Sequence, residues 1–163
     1  VLFRSIGKRS RRMFGSVKMT PSETIFGAPA GNIDEYVGIA RQTLEAIESA
    51  PKAGIPAWPT LHPEHSWVIV CREAYDSAED ANKALFHLLR GHFHNDERTF
   101  GYATDGRRAS TLHAQLRKFG SQYYPVLTAL RSKPDEDIKW HVLAQFMNEA
   151  QTEFSGETVW GGW

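Results

Sequence analysis

The stretch Ser66–Glu97, SWVIVCREAYDSAEDANKALFHLLRGHFHNDE, restricts the fold more than any other, because it joins a continuous apolar run to a capped amphipathic segment. Trp67–Cys71 is apolar throughout and rich in β-branched residues, the pattern of a strand buried on both faces. Asp76-Ser77 then offers an N-cap, Glu79 and Asp80 lie in the first turn, and Gly91 stops the pattern, so Ala78–Arg90 is expected to be helical. A competing pattern runs through the same residues. Trp67, Cys71, Ala74, Ala78, Ala81, Leu85 and Leu88 recur at spacings of four and three, which suits one long helix. The β-branched run and the internal Asp-Ser favour strand followed by helix.

On the N-terminal side, Asn32 and Glu35 have capping-box spacing, and Ile33, Val37, Ala40, Leu44 and Ile47 form one stripe, so a helix is expected from Asn32 to about Ala50. Pro51–Pro63 holds four prolines and reads as a stiff connection. On the C-terminal side, Arg98–Thr104 has aromatic residues two apart and reads as a short strand ending at Asp105-Gly106. Ser110 is read as the cap of a helix through Leu112, Leu116 and Phe119, ending at Gly120. Gln122–Ser132 reads as a continuing helix with Pro125 in its first turn, and Asp135, Glu136 and Asp137 open a last helix reaching about Glu153. The expected fold is a helix-rich α+β domain with about five helices and a small two-stranded sheet, the alternative being an all-α helical bundle. Residues 32–154 would form the domain, 1–31 a basic extension and lead-in loop, and 155–163 an aromatic tail.

Charge is distributed unevenly. Residues 1–19 contain Arg4, Lys8, Arg9, Arg11, Arg12 and Lys18 and no acid, so the rest of the chain carries about minus six. Three readings of this head stay open: a mitochondrial transit segment, an arm for RNA, DNA or an acidic protein surface, or a translated adaptor sequence ahead of a start at Met13 or Met19. One cysteine, Cys71, excludes an internal disulfide and a multi-cysteine zinc site. No apolar run approaches the roughly 18 residues that span a bilayer, so contact with a membrane would be peripheral at most.

Histidine placement is the sharpest chemical signal. His62 and His65 sit in H-P-E-H, and His92 and His94 follow the central helix, where the four could supply nitrogen ligands to a transition metal such as zinc. The spacing matches no H-E-x-x-H or finger pattern, and solvated or hydrogen-bonded histidines at a helix end are the favoured explanation over a metal site. Cys71 lies in an apolar run, where a thiol is inert. Arg107, Arg108, Arg117 and Lys118 with Phe100 and Tyr102 have the ingredients of an RNA-stacking platform, on a body whose net charge repels phosphate.

The remaining signals lie at the ends. Val159, Trp160 and Trp163 are apolar and terminal, and either fold back on their own domain or anchor another protein. Tyr36–Pro51, YVGIARQTLEAIESAP, followed by tryptophans near the end of the chain, resembles the opening helix of a small matrix-side accessory subunit of respiratory complex I. With no catalytic motif in view, the expected role is that of a non-catalytic accessory subunit of a larger assembly, in keeping with a mitochondrial complex. It would contact other protein subunits through Arg9, Arg11 and Arg12 and through Val159, Trp160 and Trp163. The alternatives are a small metal-dependent enzyme with a histidine site and an RNA-binding module.

Overall fold

Two side-chain caps set the helices that the sequence announces. At the start of helix α1 (Ile33–Glu45), Asn32 Oδ1 accepts the Glu35 amide at 2.9 Å, and the Glu35 carboxylate accepts in return from Asn32 Nδ2 at 3.1 Å and from the Gly31 amide at 2.7 Å. At the start of helix α2 (Ala78–Phe93), Ser77 Oγ accepts the Asp80 amide at 3.0 Å and donates to the Asp80 carboxylate at 2.6 Å. Between them strand β1 (Ser66–Cys71) is buried at all six positions, as its apolar run requires. The computed structural model describes residues 30–46, 54–56, 59–100, 110–133 and 138–163.

Past α2 the chain departs from the helix-rich expectation. The two segments read as helices after Ser110 are strands β2 (Leu112–Phe119) and β3 (Gln122–Leu130), paired in continuous register from Leu112↔Ala129 to Phe119↔Gln122. Gly120-Ser121 joins them, with glycine first and at φ +58°, the requirement of a two-residue hairpin turn. The spacing of Leu112, Leu116 and Phe119 misled because both faces of β2 are partly covered. Leu112 and Ala114 are buried on one face and Gln115 on the other, which hides the alternation of two.

The C-terminal residues form helix α3 (Trp140–Glu153) and strand β4 (Gly156–Gly161), so the aromatic tail is part of the sheet. The strand expected at Arg98–Thr104 does not form over its first three residues, which belong to a 3₁₀ segment, His94–Phe100; the remainder lies outside the described residues. A four-stranded antiparallel sheet with three α-helices among the described residues replaces both the two-stranded sheet with five helices and the all-α bundle.

The strand order is β2-β3-β1-β4, and every neighbouring pair is antiparallel. From β1 onward the element order is βαββαβ, which with this strand order is the split-βαβ, or ferredoxin-like, arrangement. Helices α2 and α3 cover one face, where Trp67, Ile69, Cys71, Leu112, Leu127 and Ala129 meet Leu85, Phe93, Leu143 and Phe146. Helix α1 covers the other, setting Tyr36, Val37, Ala40 and Leu44 on Val68, Val70, Val126 and Val159.

Pro125 decides where the central ladder stops. The β1–β3 pairing ends at Val70↔Val126, and the next pair would set Cys71 against Pro125, which has no N–H to give. Cys71 continues its pairing on the other side, with Gly156 of β4. The chain rejoins β3 at Tyr75, whose amide donates to the Tyr123 carbonyl at 3.0 Å and whose carbonyl accepts the Tyr123 amide at 2.8 Å. No helix among the described residues is long and apolar enough to cross a membrane.

Candidate functional site

Two histidines are brought together where β1 begins. Pro63 and Glu64 turn the chain so that the amides of His65 and Ser66 both donate to the His62 carbonyl, at 3.0 and 2.8 Å. Ser66 Oγ fastens the turn, donating to the His62 carbonyl at 2.6 Å and accepting the His62 amide and Trp160 Nε1, each at 3.0 Å. The imidazoles of His62 and His65 stack at 5.1 Å between centroids.

The Arg131 amide donates to the His65 carbonyl at 2.6 Å, which carries the β1–β3 register one pair beyond Ser66↔Leu130. His65 and Arg131 are therefore cross-strand neighbours on the face that bears Trp67, the face covered by α2 and α3. The Arg131 guanidinium lies over the Trp140 ring at 5.9 Å, on the first residue of α3. Trp163 then stands edge-on to both Trp140, at 6.5 Å, and Trp67, at 6.0 Å.

This end of the sheet concentrates donors that have no acceptor. His65 is 5% exposed, and among the described residues neither of its ring nitrogens, nor the buried Arg131 Nε and Trp163 Nε1, has a hydrogen-bond partner. The neighbouring indoles are satisfied, Trp67 Nε1 by Thr158 Oγ1 at 3.1 Å and Trp160 Nε1 by Ser66 Oγ. A buried donor left unsatisfied costs about 1–3 kcal/mol, so three on adjacent elements are a substantial local debt.

The other residues singled out in the sequence are placed elsewhere. His92 Nδ1 lies 3.1 Å from Glu149 Oε2, and Glu149 Oε1 accepts Gln145 Nε2 at 2.8 Å, beside a shallow groove lined by Asn148, Thr152 and Glu153. The His94 side chain and Arg9, Arg11 and Arg12 lie outside the described residues. Among the described residues no three His, Cys, Asp or Glu side chains are grouped to hold a metal ion. Val159 is 4% exposed under α1, at the point where the β1–β4 register shifts.

Cys71 is fully buried, and desolvation pushes its thiol far above the usual range, so its thiolate is not accessible as a nucleophile. Of the basic and aromatic set, Phe100 is buried against Phe93 and Phe146, Arg117 donates to Tyr36 Oη at 3.1 Å and to Gln115 Oε1 at 2.7 Å, and Lys118 sits over Tyr123. Arg107, Arg108 and Tyr102 lie outside the described residues.

Sequence reading picked out His62, His65 and Trp163 but not Arg131 or Trp140. No spacing signal could have found them, because the β1–β3 register brings Arg131 to His65 and the turn into α3 brings Trp140 to Arg131. Comparison with models of protein families, with curated proteins and with solved structures finds no match for the chain. The resemblance of Tyr36–Pro51 to a complex I subunit therefore rests on those residues alone.

Proposed function

We propose that the protein is a non-catalytic accessory subunit of a larger multi-protein assembly and that it joins a partner by main-chain pairing along the outer edge of β2. The observation that carries this is the contrast between the two edges of the sheet. Leu130 donates its amide to the Thr111 carbonyl at 3.1 Å, which assigns the odd-numbered residues of β2 to the ladder with β3. The N–H and C=O groups of Ala114, Leu116 and Lys118 then point outward along an eight-residue strand with no proline and no bulge. Such an edge is a template for another strand.

The edge at β4 is blunted. It carries a register shift at Val159, glycines at both ends, and Arg41 reaching over to the Thr158 carbonyl at 3.5 Å. With helices on both faces of the sheet, the β2 edge is the surface of this domain best suited to a partner. The arginine-rich, acid-free head, with Arg9, Arg11 and Arg12, adds a charged attachment and favours a mitochondrial complex. Trp160 and Trp163 support the reading indirectly, by pinning β4 so that, among the described residues, β2 is the edge left open.

The test uses proline at Lys118, where the lost N–H faces away from β3 and the fold tolerates it. In a native extract the full chain is expected to migrate well above its own 18.4 kDa. Lys118→Pro is expected to return it to monomer size with an unchanged melting temperature. A wild-type chain that runs as a monomer, or a proline variant that stays in the particle, overturns the proposal.

A further inference from the structure

We infer that the His65–Arg131–Trp163 cluster is a binding site for an oxyanion, a carboxylate or a phosphate group presented by a ligand. The sign of the ligand follows from the groups. Arg131 Nε and Trp163 Nε1 can only donate, and His65 adds a ring N–H from a side chain that is 95% buried by its 5% exposure. His65 and Arg131 begin from paired backbone positions on one face of the sheet, so their side chains leave the sheet about 5 Å apart at Cβ. The Arg131 guanidinium lies over the Trp140 ring at 5.9 Å, and its buried Nε has no hydrogen-bond acceptor among the described residues, so it is left to donate to a planar or tetrahedral oxyanion.

Two further features favour negative charge there. Trp140 is the first residue of α3, a fourteen-residue helix whose N-cap residue, Lys139, makes no side-chain cap, and Arg131 makes no ion pair with any described carboxylate. A metal cation does not suit a site whose other groups are a guanidinium and an indole N–H. Arg131 and Trp163 are half-buried as residues, while the donor atoms Arg131 Nε and Trp163 Nε1 lie beneath the surface.

This inference is independent of the β2 edge, and its test is separate. The full chain is melted in a non-coordinating buffer at constant ionic strength with rising sodium phosphate in one series and sodium acetate in another. The expected result is a saturable rise in melting temperature, about 3–6 °C at ten times the dissociation constant, in at least one series. The series that saturates at lower concentration tells phosphate from carboxylate. Arg131→Met keeps the stem on Trp140 and removes the charge, and Trp163→Phe keeps an aromatic ring and removes the N–H. Each is expected to weaken the saturable response at least tenfold, and Trp163→Phe carries the test if Arg131→Met does not fold. No saturable response in either series, or an equal response in wild type and variants as salt exclusion would give, overturns the site.

Discussion

A Cβ on Gly161 would stand 1.9 Å from the carbonyl oxygen of Ser66 and 2.8 Å from that of Pro63. Both are backbone atoms of the turn that starts β1, so neither can give way cheaply. Gly161 also has φ +62°, where side chains are disfavoured. Gly161→Ala is therefore expected to lower stability by more than about 2 kcal/mol in denaturant melts. Gly162→Ala meets nothing closer than 3.8 Å and is expected to cost about 1 kcal/mol from its φ of +116° alone. Equal losses at the two glycines would contradict the close approach.

Phe146 holds the centre of the larger core, meeting Phe93 at 5.5 Å and Phe100 at 5.2 Å, both edge-to-face. Phe146→Ala is expected to cost about 3–5 kcal/mol. Phe86, 43% exposed on the outer side of α2, gives the control, and Phe86→Ala is expected to cost less than about 1 kcal/mol. Chemical denaturation of the two variants measures both. A small loss at Phe146 would mean that α3 does not pack on the sheet as described.

Two groups set the acid limb of stability. Burial lowers the pKa of His113 on β2 below its ordinary 6.5, so the unfolded state takes up the proton first. The stability it confers is complete above about pH 6.5 and is lost as pH falls toward the lowered value. Arg72 and Arg41, at 2.7 and 2.6 Å, hold Glu157 below its ordinary 4.5, and Arg72 is also paired with Asp34 on α1. That contribution is present above about pH 4.5 and is lost as pH falls through the lowered value. Stability measured against pH is expected to fall in two steps. His113→Gln should remove the upper one, and Glu157→Gln the lower, with a loss of about 1 kcal/mol or less at pH 7 because the pair is partly exposed.

The two helix caps and the strand at Trp67–Cys71 were legible because their signals are short in sequence. Asn32 and Ser77 each bond an amide three residues on, and the five residues Trp67–Cys71 of β1 are apolar without interruption. The hairpin had a usable signal that the helical spacing outweighed. Gly120-Ser121 ahead of a run rich in β-formers, Tyr123, Tyr124, Val126 and Thr128, is a two-residue turn, and Pro125 five residues on argues against a helix interior. Of the candidate site, the paired histidines and Trp163 could be named, but not what stands beside them.

The sequence by itself determined where α1 and α2 begin and where β1 lies, because a cap or an apolar run acts within a few residues of itself, while α2 runs on through Gly91 to Phe93. Only the tertiary structure decided that Gly156–Gly161 is a strand, since its ladder partner, Trp67–Cys71, lies more than 80 residues earlier and local glycines give no sign of it. The same holds for the cluster at the end of the sheet. His65, Arg131, Trp140 and Trp163 meet because strand register and the return of the chain after α3 put them there, and their unsatisfied donors exist only once that packing has excluded water.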